Sequence, residues 1–247
     1  MIRDDACGTL FVYQTPADVA KALADFFIDQ ARNAIEARGR FVVALAGGTT
    51  PRTTYALFTQ APYCDAIDWD AVEFYFGDER CVPPDNDQSN YKTAYDAFLG
   101  PMRIAPEQVH RMHGEDDPQQ AALAYRRDLA QTLGDEPSFD LVMLGMGPDG
   151  HTASLFPGEN PLTDDQERVR AVYATSHNQW RLTLTPSLLN ASLAVVFAVT
   201  GADKNAALTA VREGPKDPTK YPAQIICPPN ESTFVWLVDG AAAGSKR

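Results

Sequence analysis

The chain of 247 residues is poor in cysteine, histidine and basic side chains, and it has no long apolar run. Each shortage removes a class of protein. No stretch approaches the roughly 18 apolar residues that a membrane-spanning helix needs. The opening Met1-Ile2-Arg3-Asp4-Asp5 lacks the apolar segment of a secretion signal. The four cysteines, Cys7, Cys64, Cys81 and Cys227, form no C-x-x-C pair. In a chain of this length that pattern predicts reduced thiols and a cytoplasmic setting. Lysine and arginine number 21 against 33 acidic residues, a net charge of −12, which argues against nucleic acid and anionic membranes as partners. An anionic substrate would therefore need local Arg, Lys and backbone N–H groups to hold it.

Several chemical signatures are also missing. There is no G-x-S-x-G elbow for an activated serine, and the glycine loop at 46–51 has neither the G-K-[ST] ending of a Walker A loop nor the G-x-G-x-x-G spacing. His110-Arg111-Met112-His113-Gly114-Glu115 has no recognised metal-ligand spacing and reads as structural. No internal repeat and no Pro/Gly/Ser linker divides the chain, so residues 1–247 read as a single domain.

What is present is alternation. Thr15-Pro16-Ala17-Asp18 opens a helix with a capping threonine, proline at the first helical position and an early acid. Val19, Leu23, Phe26, Phe27, Ala31, Ala34 and Ile35 recur at helical spacing, and Gly39 ends the element. Phe41 to Ala46 is a continuous apolar run, as a buried parallel strand requires. The pattern predicts further strands at 72–76, 139–144, 169–175, 181–185, 193–199 and 233–238. Helices are expected through Phe58 and at 89–99, 118–133 and 202–212, with a frayed tail at 241–247. Strands alternating with helices predict an α/β fold: an open, mostly parallel, Rossmann-like sheet with helices on both faces. Ligands in such folds bind beyond the carboxyl ends of the strands.

Four strand ends carry suitable chemistry. Ala46-Gly47-Gly48-Thr49-Thr50-Pro51 joins a strand to a helix. Its glycines permit close backbone approach, and free N–H groups at the helix start favour an anion. The same residues would also serve as a Thr-capped tight turn. Gly77-Asp78-Glu79-Arg80 places three ionisable groups at a strand exit, where Arg80 can fork onto an oxygen and Asp78 can orient a hydroxyl or act as a base. A surface ion-pair cluster is the plainer reading. Gly145-Met146-Gly147-Pro148-Asp149-Gly150-His151 sets an aspartate two residues from one of only four histidines. An imidazole there suits general-base work near neutral pH, with the aspartate fixing its tautomer. Thr152 and Ser154 read as caps of the next helix or loop, and His177-Asn178 is a candidate for the site mouth that no motif places there. Arg181 and Lys204 are the fourth feature: two cations at strand ends which, with the Gly-Thr loop, would hold a phosphoryl group.

Taken together and in this order, these motifs resemble the 6-phosphogluconolactonases, within the wider family that also holds the glucosamine-6-phosphate isomerases. The resemblance covers nearly the whole chain. It rests on Gly47-Gly48-Thr49-Thr50-Pro51, Gly77-Asp78-Glu79-Arg80, Gly145 to Pro157, Arg181-Leu182-Thr183-Leu184-Thr185 and Gly201-Ala202-Asp203-Lys204. It implies a phosphate site at Gly48, Thr49, Thr50, Arg181 and Lys204, with His151 as base, Asp149 as its orienting partner and Arg80 against the substrate. It implies a sugar-phosphate lactone as substrate, no metal, no organic cofactor and a monomer. The isomerase branch carries an acid five residues after the motif histidine, where this chain has Phe156. A phenylalanine cannot transfer protons, so the resemblance favours lactone hydrolysis over amino-sugar isomerisation. A sugar-phosphate sensor would need a damaged base, which this chain does not have, and a serine esterase would need the missing elbow.

Overall fold

The computed structural model describes residues 2–3, 8–159, 167–229 and 232–244. Cys7 and the last three residues of the expected frayed tail lie outside them. Among the described residues, ten strands and six α-helices run in the order β1 (Ile2–Arg3), β2 (Thr9–Tyr13), α1 (Pro16–Arg38), β3 (Phe41–Leu45), α2 (Thr49–Phe58), β4 (Val72–Phe76), β5 (Asp78–Arg80), α3 (Asn90–Ala94), α4 (Pro118–Leu133), β6 (Leu141–Leu144), β7 (Val169–Ala174), β8 (Gln179–Leu184), α5 (Pro186–Asn190), β9 (Ala194–Val199), α6 (Asn205–Glu213) and β10 (Thr233–Asp239).

The first helix follows its sequence signals. Thr15 Oγ1 accepts from the Asp18 N–H while the Asp18 carboxylate accepts from the Thr15 N–H, a reciprocal cap that satisfies otherwise unbonded donors. Gly39 closes the helix in the left-handed region at φ 73°, donating to the Ile35 carbonyl. The apolar stripe of α1 is buried at Val19, Leu23, Phe27, Ala31 and Ala34.

The main sheet has the order β1-β2-β10-β9-β6-β3-β4. Six of its strands are parallel, and only the short β1 pairs antiparallel. The central strands are apolar along their whole length because each face meets a core. In β9, Val195, Phe197 and Val199 enter one core with α4 and α6, while Ala194, Val196 and Ala198 enter the other with α1. The second core is dominated by rings: Phe27, Phe58, Trp69, Phe74 and Phe98 lie within 6.4 Å of their neighbours, centroid to centroid. From β3 the chain moves outward to β4, then returns to β6 on the other side. This reversal opens a crevice at the carboxyl ends of β3 and β6.

Four details differ from expectation. Strands β7 and β8 leave the main sheet and form a separate antiparallel one with β5, so Asp78–Arg80 is a paired strand and not a loop. Residues 89–99 break into α3 and a π-helical turn at Tyr95–Leu99. The expected helix at 202–212 begins as a 3₁₀ turn at Ala202–Lys204. Finally, residues 241–244 are not frayed: Ala242 is fully buried, its N–H bonds Asp239, and its carbonyl accepts from Asn205.

Candidate active site

Beyond β3, β4, β6 and β9 lies a cleft of about 460 Å³ lined by residues 46–51, Gly77, Asp78, Arg80, residues 143–148, His151, Thr200, Asp203 and Lys204, among others. Its wall is made rigid by buried hydroxyls. Tyr55 Oη accepts from the Ala46 N–H and donates to the Ala46 carbonyl, locking the end of β3. Tyr125 Oη accepts from the Phe76 N–H and so holds the end of β4.

On one side, Gly48 stands before α2 at φ 101°, a conformation that side chains resist. No side chain caps this helix, and its first residues line the cleft at the positive end of the helix dipole. Thr50 Oγ1 lies 2.9 Å from Thr200 Oγ1, tying the loop to the end of β9. Lys204 follows β9, with Nζ 3.1 Å from Asp203.

Opposite stands the histidine loop. His151 Nδ1 is 2.6 Å from Asp149 Oδ1, and the same oxygen accepts from the His151 N–H at 3.1 Å. Burial alone would raise the Asp149 carboxyl. The hydrogen bond and charge of His151 outweigh it and bring the pKa down to about 2. Asp149 is therefore ionised wherever the imidazole is neutral, and it holds the proton of neutral His151 on Nδ1. Nε2 is left as the lone-pair nitrogen, and it bonds to none of the described residues. Gly147 makes the pairing possible: a Cβ there would lie 2.1 Å from His151 Nδ1 and 2.5 Å from Asp149 Oδ1. Phe156, only 6% exposed, packs on the imidazole at 4.8 Å between centroids.

Asp78 lines the cleft, but both its oxygens are occupied. Asn90 donates to Oδ1 at 2.9 Å, and Ser154 donates to Oδ2 at 2.7 Å. Ser154 is thus neither nucleophile nor helix cap; it ties the histidine loop to β5. Next to Asp78, Glu79 is buried, and burial raises its pKa. It accepts from the N–H groups of Arg80, Asn90 and Tyr91 and from the Ser89 hydroxyl. These bonds anchor the loop 81–90, which Arg80 also grips through the Gln88 carbonyl.

Expectation grouped Arg181 with Lys204 and the Gly-Thr loop. The β5–β8 ladder instead sets it directly opposite Arg80, 7% exposed and outside the set of residues that line the cleft. Burial, then the charge of Arg80, pulls its pKa below the usual guanidinium value. The Nε–H groups of both arginines are buried and bond to none of the described residues, an arrangement that suits an anionic oxygen.

Three contributors carry no such signal in the sequence. Asn90 packs against Gly47, where a Cβ would fall 2.0 Å from its Oδ1. Tyr221 sits against Gly150, which has φ 82°. His177 closes on Phe156 and His151 from the β7–β8 hairpin. All three depend on contacts between distant segments. Only the glycines give a local hint that something approaches closely. Among the described residues no cluster of His, Cys, Asp or Glu is arranged to hold a metal ion.

Residues 14–236 match the family described as glucosamine-6-phosphate isomerases/6-phosphogluconolactonase. The 6-phosphogluconolactonase of Synechocystis sp. is 37% identical over 219 residues, covering 87% of this chain and 88% of the relative. That of Nostoc sp. is 37% identical over 230 residues, covering 91% and 92%. The solved 6-phosphogluconolactonase of Trypanosoma brucei aligns over 100% of both chains with a TM-score of 0.85 at 26% identity. With the cleft, the His–Asp pair and the uncapped helix all at the sheet's carboxyl edge, these matches show that the chain belongs to the glucosamine-6-phosphate isomerase/6-phosphogluconolactonase family.

Proposed function

We propose that this protein hydrolyses 6-phospho-D-glucono-1,5-lactone to 6-phosphogluconate, the lactone-opening step of the oxidative pentose phosphate pathway. The observation that carries this reading is the His151–Asp149 pair, backed by Phe156 where an amino-sugar isomerase would need an acid. The similarity to 6-phosphogluconolactonases over most of the chain supports it.

The phosphate docks at the open N-terminus of α2, on Gly47, Gly48, Thr49 and Thr50, with Lys204 supplying charge. This remote contact fixes the ring over His151. His151 Nε2 takes a proton from water as the oxygen attacks the lactone carbonyl carbon. The carbonyl π pair moves onto its oxygen, where Arg80, with Arg181 behind it, stabilises the negative charge. When the tetrahedral intermediate collapses, the C1–ring-oxygen bond breaks and the imidazolium returns its proton to the departing oxygen. Asp149 steadies the imidazolium during this interval. Asp78, with both oxygens engaged, positions the loop and takes no proton. No step requires a metal or cofactor. A monomer is the state the lactonase resemblance implies, and the free thiols of Cys64, Cys81 and Cys227 suit a reducing, cytoplasmic compartment.

The test is the hydrolysis rate of freshly generated lactone with spontaneous hydrolysis subtracted. A rate at background overturns the reading. Lys204→Ala should raise KM about tenfold or more for the phosphorylated lactone and hardly at all for gluconolactone. An equal effect on both lactones would remove the phosphate from this end of the cleft.

A further inference from the structure

His177 belongs to the β7–β8 hairpin and is exposed, yet its ring packs on Phe156 beside His151, at the rim of the site. The rings of His151, Phe156 and His177 form a triangle with sides of 4.8, 5.0 and 6.2 Å between centroids. The hairpin is held in this position. The Thr175 N–H donates to Glu159 at 3.0 Å, Asn178 turns the chain at φ 50°, and Gln179 donates to Gln88 across the site at 3.0 Å. Ser176 Oγ lies 2.9 Å from His177 Nδ1. If that hydroxyl donates, Nδ1 is the acceptor and the ring proton sits on Nε2, which bonds to none of the described residues.

We propose that His177 is a substrate-contacting residue at the reacting end of the cleft, donating from Nε2 to the C1 oxygen of the bound lactone and to the carboxylate of the product. The inference rests on the lactonase reading above. Three observations lead to it. The ring leans on the ring of the base. The same hairpin carries Arg181, which stands opposite Arg80. And the triangle fixes an imidazole on a hairpin tip where an unused side chain would be free to turn into solvent.

The groups facing His177 are Arg181 and Arg80 from the small sheet and His151 and Asp149 from the histidine loop. Burial, then Arg181, then His151 lower its pKa; Asp149 opposes them and Arg80 adds to them. The ring is therefore neutral at neutral pH, a donor that does not hold the product carboxylate by charge. As pH falls it becomes a third cation beside two guanidiniums, and product should bind more tightly.

The experiment compares wild type, His177→Ala and His177→Gln for kcat, KM and inhibition by 6-phosphogluconate between pH 5.5 and 8.5. His177→Ala should lose about tenfold in kcat. His177→Gln, which keeps an N–H donor, should recover most of that loss. Product inhibition should strengthen towards low pH about three- to tenfold more in wild type than in His177→Gln. Taking the two side by side cancels the titration of the product phosphate and of His151. Three proteins alike at every pH would overturn the proposal. Equal losses in both variants with a lowered Tm would make His177 a packing residue only, and overturn it as well. Should wild type lack lactonase activity, the functional reading fails by itself. Calorimetric binding of 6-phosphogluconate to wild type and His177→Gln would then decide the contact, with identical affinities at pH 5.5 counting against it.

Discussion

Two histidines in this molecule hydrogen-bond carboxylates through the ring, and only one of the two is fit to be a base. His110 is clamped on both nitrogens, Nδ1 2.8 Å from Asp128 and Nε2 3.0 Å from Glu73, and it stacks on Tyr75 with ring planes 1° apart. Burial opposes its charge, but the two carboxylates outweigh burial and raise its pKa. It is a structural cation. His151 has one carboxylate, one bonded nitrogen and one free nitrogen facing a cleft. The hollow beside His110 is larger, about 650 Å³ against about 460 Å³, yet His110 has no free lone pair to offer it. What fits one imidazole for base work and the other for a structural place is the number of ring nitrogens the fold leaves unbonded. Neither a partner carboxylate nor the size of the neighbouring hollow decides it.

The comparison can be broken most directly by substitution. His151→Ala should lower turnover by roughly a hundredfold or more with KM little changed, measured on fresh lactone. Normal turnover would remove His151 from the chemistry. Gly147→Ala should cost roughly thirtyfold in kcat, because its Cβ enters the space of the His151–Asp149 pair and the flexible imidazole must move. Tm should hold to within a few degrees, and a collapse of Tm would show that the loop, not the pair, had failed.

Asp149→Asn should cost about tenfold in kcat, since the amide no longer selects the tautomer. Asp149 also makes a pH prediction. Its folded pKa, about 2, lies below the unfolded value, so its contribution to stability is present above the unfolded value and is lost as pH falls through about 2. The carboxylate is 41% exposed, so that contribution is screened and small. The last prediction concerns His110→Gln, which should leave turnover within about twofold while lowering Tm by a few degrees. His110 has a raised folded pKa, so its stabilisation is full below about pH 6.5, the unfolded value, and fades as pH rises through the folded one. Thermal melts across pH 5 to 9 should show wild type and His110→Gln converging at the alkaline end. Parallel curves would mean that the imidazolium is not what stabilises.

Much of the fold is legible in the sequence alone. The cap at Thr15 and Asp18, the stop at Gly39 and the apolar strands are local signals, because each depends on neighbours a few residues away. Placement of Gly47, His151 and Lys204 at strand ends follows from the same signals, since a parallel sheet gathers those ends on one edge. Two strands of the small sheet, β7 and β8, are legible, but their pairing with β5 is not. Nothing in Asp78-Glu79-Arg80 announces a strand, since its pairing partner lies about a hundred residues away at β8. Sequence reasoning groups Arg181 with Lys204 and the Gly-Thr loop and has no signal for its place opposite Arg80. Asp78, open as a base in the sequence, is bonded on both oxygens by Asn90 and Ser154.

The sequence by itself determined the fold class, the order of the elements, the family and which residue types reach the carboxyl edge of the sheet. These depend on periodicity, caps and motifs, which are written within short windows. Only the tertiary structure decided which nitrogens are free, which carboxylates are spent on hydrogen bonds, which cations stand side by side and that His177 leans on His151. Those are contacts between segments far apart in the chain, and they exist only once the core has brought the segments together.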